Sequence, residues 1–198
     1  MVKLNEPVFV TLEQLAAMSQ NVIDLDDDAQ VARSKAALCS AEAEVAAYIG
    51  ADDLEERSVV ITRRISRFKN VLEMDVGPIT TINEVQVNGD PLDPGILEIE
   101  NHWWILRTDG ELFPQGTPIT VDYLAGYRVN SDGTNTMPKN LGQAILRLAV
   151  SRFANPLTDL TEERIGDYAY VKGREGDISV AIPTDVASLL RRLRRVVV

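Results

Sequence analysis

The stretch from Met137 to Asn155 constrains this chain more than any other, because it reads as one helix buried on most of its circumference. Pro138 suits the first helical turn, where a missing N–H loses nothing, and Asn155-Pro156 forms a stop. Leu141, Ile145, Leu148 and Ala149 fall on one face at helical spacing. Leu146, Val150 and Phe153 fall on the adjoining face, leaving Gln143, Arg147 and Ser151 as a narrow polar strip. A helix apolar over so wide an arc packs on more than one side. It belongs at the centre of the fold, over about 138–154, with strands before it and helices from both ends of the chain around it.

Two helices are expected ahead of the strands. Thr11 and Gln14 have the form of a capping box and open a short helix carrying Leu12, Leu15 and Met18. A longer one begins among Asp26, Asp27 and Asp28, whose charge suits a helix N-terminus, and ends at Gly50. Val31, Leu38, Val45 and Ile49 form its large apolar stripe. Ala32, Ala36, Cys39, Ala43 and Ala46 form a second stripe of small residues, so this helix can pack on two things at once. The second contact is either another part of the same domain or a neighbouring subunit, for which Ala36 and Ala43 are the candidate residues.

From Ser58 to Tyr127 the period changes to two. Strands are expected at Val59–Phe68, Val71–Val76, Ile82–Val87, Ile96–Arg107 and Ile119–Tyr123. Asn88-Gly89 favours a tight hairpin turn, and Asp109-Gly110 turns the chain again. Turns and short loops join these strands with no crossover helix, so the sheet is mainly antiparallel. Trp103 and Trp104 are adjacent and point to opposite faces of a strand. One belongs to the core, and Trp104 is the candidate interface anchor.

Beyond the central helix, Leu157–Gly176 is harder to read. Tyr168, Tyr170 and Val171 alternate like a strand or an extended arm. The chain closes with a helix over Pro183–Val198, capped by Asp185, with Val186, Leu189, Leu190, Leu193 and Val197 opposite Arg191, Arg192, Arg194 and Arg195. The fold class is α+β in a single domain over 1–198. Its helical part covers 11–50 and 138–195, its β part 58–127, and an extended arm 157–182.

The net charge of −10 argues against a general nucleic-acid binder. Acids crowd Asp24–Asp28 and Asp52–Glu56, whereas the arginines crowd the other end. That asymmetry suits a subunit touching copies of itself or a charged partner, or two solvated helix faces. A single cysteine, Cys39, excludes an internal disulfide, and no apolar run approaches the roughly 20 residues of a membrane span. Nothing in Met1–Val10 reads as a signal peptide, so a soluble protein made in a reducing cytoplasm is expected.

Catalytic patterns fail one by one. The only histidine, His102, has no second histidine for a zinc site, and a serine triad would rest on it alone. Asp24, Asp26 and Asp28 have calcium-loop spacing, but Ala29 and Lys35 stand where glycine and glutamate are needed. Ser66 and Lys69 match Ser-x-x-Lys without an accompanying Lys-Thr-Gly. No phosphate-binding or dinucleotide-binding glycine loop occurs. The expectation is a chain without enzymatic activity, cofactor or metal.

Taken in order, the elements resemble the head-to-tail connector, or adaptor, family of long-tailed double-stranded DNA phages. The resemblance runs from the N-terminal helix pair, ending in Ala47-Tyr48-Ile49-Gly50, through Val71-Leu72-Glu73-Met74 and Gly77-Pro78-Ile79 to Ile82–Gly89. Its most specific part is Ile119-Thr120-Val121-Asp122-Tyr123-Leu124-Ala125-Gly126-Tyr127, then a loop, then Met137-Pro138. Ile165-Gly166-Asp167-Tyr168 and Ile182-Pro183 with Val186, Leu189, Leu190 and Arg191 are similar to the family's C-terminal part. The loop Asn130–Thr136 and the stretch Asp90–Pro118 depart from it.

The resemblance implies a structural virion protein at the head-tail junction, assembled in the host cytoplasm. Such proteins form a ring, usually of twelve copies, under the portal; it continues the DNA channel and docks the tail. The implied partners are further copies of the chain, the portal protein, a tail terminator or other tail-proximal protein, and double-stranded DNA in transit, with no membrane. Arg191, Arg192, Arg194 and Arg195, or the segment around Tyr168 and Tyr170, are the candidate portal grip. Deleting 183–198 is then expected to abolish portal binding and leave the core folded. Two alternatives are a nucleic-acid-binding module using the basic strand Arg63–Lys69, with Arg64 and Arg67, and a small hydrolase using His102.

Overall fold

The central helix forms as α3, Lys139–Ala154, and its buried residues are Leu141, Ala144, Ile145, Leu148, Ala149 and Arg152. The structure is a computed structural model that describes residues 7–20, 22–130, 134–154, 164–165, 168–169 and 182–195. Its fold is α+β, in two units: Met1–Ile49 with Met137–Arg191, and Gly50–Thr136 with Arg192–Val198. The expected stop at Asn155-Pro156, the interruption at Gly166, and Tyr170 and Val171 lie outside the described residues.

In the helical unit, α3 packs against α1 (Leu12–Met18), α2 (Asp28–Ile49) and α4 (Thr184–Leu190). The capping box of α1 is complete: the Thr11 hydroxyl accepts from the Gln14 amide, and the Gln14 side chain accepts from the Thr11 amide. Leu15 and Ala16 are the buried residues of α1, whereas Met18 is exposed. Seven residues make barely two turns, so one apolar edge covers the contact. Asp27 caps α2, its carboxylate accepting from the amides of Ala29 and Gln30. A hydrogen bond from the Gln30 side chain, followed by these two, holds its carboxyl below the usual carboxylate range.

The buried face of α2 comprises Ser34, Ala37, Leu38, Ala41, Val45, Ala46 and Ile49. Small residues at 34, 37 and 41 bring backbones close, while each fully buried leucine or valine contributes about 1.5–3 kcal/mol. On α3, Leu146, Val150 and Phe153 are half-buried, so the second apolar face is only partly covered. Asn140 donates to the Leu189 carbonyl (3.0 Å) and Arg147 pairs with Asp185 (3.1 Å), tying α4 to α3. Asp185 thus serves an ion pair, and the residue at the N-cap is Pro183, without a side-chain cap.

The β unit holds a four-stranded antiparallel sheet in the order β1 (Arg57–Arg64), β7 (Pro118–Ala125), β3 (Ile79–Val87), β4 (Asp90–Pro91). A three-stranded sheet has the order β2 (Val71–Glu73), β6 (Trp104–Arg107), β5 (Leu97–Glu100). Strand β7 alternates strictly, with Ile119, Val121, Tyr123 and Ala125 buried. Together with Leu72, Met74, Ile79, Val85, Ile105 and Phe113 they form one core cluster that draws on both sheets. Thr62 and Thr120 face each other across β1 and β7 with hydroxyls 2.9 Å apart. Asn88 and Gly89, both at positive φ, make the expected turn between β3 and β4.

Three strand expectations change. Strand β1 stops at Arg64 and β2 at Glu73. The run Ile96–Arg107 is a hairpin, because Asn101 (φ 52°) and His102 (φ 62°) form a tight turn closed by the Trp103 amide on the Glu100 carbonyl. Two consecutive positive φ values match the twist of flanking strands, and asparagine tolerates the first of them. Apart from these, a two-stranded ladder joins β8 (Arg164–Ile165) to β9 (Tyr168–Ala169), where the alternation at Tyr168 suits a strand or an extended arm.

The C-terminal helix ends at Leu190, so the expected span to Val198 is corrected. Leu193 is buried and its carbonyl accepts from Trp103 Nε1 at 3.0 Å. Val186, Leu190 and Leu193 are core residues, so deleting 183–198 removes core as well as the arginines.

Candidate functional site

Tyr127 closes the Ala125-Gly126-Tyr127 phrase, whose backbone pairs with two other segments. The Gly126 amide donates to the Pro78 carbonyl (2.8 Å), the Tyr127 amide to Leu54 (2.7 Å), and the Glu56 amide to Tyr127 (2.9 Å). The Tyr127 ring is buried, and its hydroxyl has no hydrogen-bond partner among the described residues. Desolvation pushes this phenol up to about 12.

The unfolded phenol ionises near pH 10. Folded Tyr127 keeps its proton to about pH 12, so alkaline pH favours the unfolded state: stability is full below pH 10 and falls between 10 and 12. Each pH unit in that window removes about 1.4 kcal/mol. Tyr123, also raised by burial, adds a background of the same sign. Thermal melts at pH 8, 10 and 11.5 test this: Tyr127→Phe should flatten the alkaline loss and match or exceed the parent stability at pH 8. An unchanged alkaline slope would refute it.

The C-terminal arginines divide into two sets. Arg191, Arg192 and Arg194 are exposed. Arg195 turns back onto its own β unit, pairing with Asp75 (3.0 Å) and Glu73 (3.5 Å), with its guanidinium 5.5 Å from the centre of the Trp103 ring. Arg63 reaches the same carboxylate at 2.7 Å and donates to the Glu73 carbonyl. Two guanidinium groups on Asp75 hold its carboxyl below the usual range, with Arg63 the larger influence. Gly77 lies against Trp103, where a Cβ would come within 2.7 Å of the indole, so glycine leaves the ring its place.

Trp103 is the core tryptophan at 1% exposure, and Trp104 is half-buried on β6 between its register partners Glu73 and Glu100. Ala36 and Ala43 are exposed on α2 with Ala32, while Cys39 is half-buried and Ala46 buried. Tyr168 lies on β9. His102 gives its carbonyl to the Ile79 amide, a backbone role that follows from its place in the hairpin turn.

Two polar clusters escaped the sequence reading. Arg107 is buried and bidentate on Asp109, reaches Glu111 at 2.8 Å and lies 5.6 Å from the Phe113 ring centre, closing the loop after β6. Arg152 is buried against Glu44 of α2. Arg152 follows Leu148 by four and Ile145 by seven, so helical spacing places it on the apolar face; that was the available signal. Among the described residues, no group of three or more His, Cys, Asp or Glu side chains is arranged to hold a metal ion.

No protein-family model matches the sequence, and no curated protein matches it. Solved structures do. The chain is similar to one from the neck of an empty GTA particle computed with C6 symmetry, with a TM-score of 0.54 and 18% identity over 98% of this chain and 96% of that one. It is similar also to a chain of the virion of a native gene transfer agent (GTA) particle, with a TM-score of 0.52 and 19% identity over the same shares. At such identities the likeness is one of fold.

Proposed function

We propose that this chain is a structural protein of a virion neck, forming a ring of its own copies between the portal of a phage-type head and the tail. The observation that carries this reading is a shared fold over nearly the whole of both chains, with one match a neck and the other a virion. Because one fold can serve many functions, the reading is tested on assembly itself. The ring continues the DNA channel, and its net charge of −10 lets duplex DNA slide without binding. Twelve copies, a portal on one side and a tail-proximal protein on the other complete the assembly, without cofactor or catalysis.

Within this reading the exposed Arg191, Arg192 and Arg194 form the portal grip, together with the Tyr168 and Tyr170 segment. Trp104 and the α2 surface of Ala36 and Ala43 belong to subunit contacts. Because residues 183–198 supply core side chains, the test uses substitutions. Mass by light scattering is measured for the chain alone and mixed with its portal protein. Recruitment in a fixed multiple is expected, and Arg191→Glu with Arg192→Glu should abolish it while the melting temperature holds. A chain that stays monomeric with the portal overturns the ring; unchanged recruitment of the double variant removes the arginines from the grip.

A further inference from the structure

The end of β1 and the turn after it carry exposed positive charge in an otherwise acidic chain. Arg64, Arg67 and Lys69 are exposed, and their side chains make no ion pair or hydrogen bond among the described residues. Between them Phe68 is 60% exposed. Strand β1 is an edge of its sheet, and Val60, 64% exposed, shares the outward face of that strand with Arg64. Arg63 takes no part, since Asp75 and the Glu73 carbonyl hold it. Large apolar side chains left among cations mark a surface that binds something both acidic and apolar.

The helical unit carries the complementary surface. Before α2, Val22 is 74% exposed and Leu25 37% exposed. Around them Asp24, Asp26 and Asp28 are exposed, and the carboxylates of Asp26 and Asp28 make no hydrogen bond among the described residues. Asp27 is the one spent on capping the helix. Each surface repels its own like in a second molecule, whereas the two attract each other. A pairing of unlike surfaces is heterologous, the type of contact that closes rings.

We infer that the basic, aromatic end of β1 in one copy docks on the acidic, aliphatic segment Val22–Asp28 of the next. The inference rests on the ring reading and assigns the residues of its lateral contact. Duplex DNA fits the basic surface less well: the chain's net charge of −10 opposes phosphate, and Phe68 and Val60 would gain nothing from a phosphate backbone.

Two charge reversals test it. One variant carries Arg64→Glu, Arg67→Glu and Lys69→Glu; the other carries Asp26→Lys and Asp28→Lys. All five positions are exposed, so melting temperatures should stay near the parent's. Ring assembly is followed by light scattering in the presence of the portal protein, with duplex DNA retention measured in parallel. Each variant alone should lose at least about tenfold in assembled fraction. Mixed in equal amounts they should recover it, since each basic surface then meets an acidic one in an alternating ring. Parent assembly should weaken as salt rises.

Assembly of either variant alone at the parent level overturns the inference, as does a loss that mixing does not rescue. Loss of DNA retention with rings intact overturns it in favour of a nucleic-acid surface. Failure of the parent chain to form a ring overturns the ring reading itself, a result separate from any behaviour of the variants.

Discussion

Replacing Gly126 by alanine should lower stability by about 4 kcal/mol, in the exceptional tail for a single substitution. Two causes add. Gly126 sits at φ +90°, a conformation that costs an L-residue about 1–2 kcal/mol. A Cβ there would lie 2.2 Å from the Glu55 carbonyl oxygen and 2.5 Å from its carbon, both backbone atoms that no rotamer change can move. Relief means parting residues 54–56 from 126–127 and losing the Leu54–Tyr127 and Glu56–Tyr127 hydrogen bonds. Thermal unfolding should drop by roughly 8–16 °C, and the urea midpoint should fall with an unchanged slope. A loss under about 0.5 kcal/mol, ordinary for a surface site, would show that the backbone approach is looser than described.

The Glu44–Arg152 pair should show the second large effect. Arg152 donates Nε to both Glu44 oxygens (2.9 and 3.2 Å) and a terminal nitrogen to Oε2 (2.5 Å), while Ser40 also donates to Glu44. The two side chains are 7% and 13% exposed, so either charge left alone is stranded between α2 and α3. Removing one partner of a buried pair costs about 3–5 kcal/mol, whereas replacing both by apolar residues is near neutral or better. A carboxylate can shed its charge by taking a proton and a guanidinium cannot. Glu44→Leu should therefore be the more damaging single variant at pH 7, ahead of Arg152→Met, with the double variant less damaged than Glu44→Leu. A double-mutant cycle by urea unfolding checks this; a coupling energy within about 0.5 kcal/mol of zero would mean the pair is solvated and independent.

Much of the architecture was legible because it rests on local rules. The capping box of Thr11 and Gln14, the acid-rich start of α2, the alternation of β7 and the Asn88-Gly89 turn each follow from a few adjacent residues and appear where expected. The hairpin at Asn101 and His102 was missed because apolar residues at Leu97, Ile99, Trp103 and Ile105 continue one alternation across it. Three residues, 101–103, lie between the paired Glu100 and Trp104, so partners across the hairpin differ by an even number of positions and the period of two survives the reversal of direction. The C-terminal helix was overextended for a similar reason. Leu193 keeps the helical spacing from Leu190, yet it is buried beyond the helix end.

The candidate surfaces show the same division. That Arg191–Arg195 and Arg63–Lys69 are basic is plain in the sequence, but which of these charges remain available is a matter of distant partners. Asp75 binds both Arg63 and Arg195, leaving Arg64, Arg67 and Lys69 outward on one segment and Arg191 and Arg192 on the other. Ala36 and Ala43 belong to a stripe that the sequence allowed to be either internal or external, and the fold divides it: Ala32, Ala36 and Ala43 are exposed, Cys39 is half-buried and Ala46 is buried.

By itself the sequence determined element type, the α+β class and the place of α3 among the other helices of its unit, because periodicity and caps act within a few residues. Only the tertiary structure decided which charges are neutralised, why position 126 must be glycine and where Trp103 finds its partner. Those outcomes depend on residues 71 to 120 positions apart, as in Asp75 with Arg195, Glu55 with Gly126 and Trp103 with Leu193, and no local pattern encodes so distant a meeting.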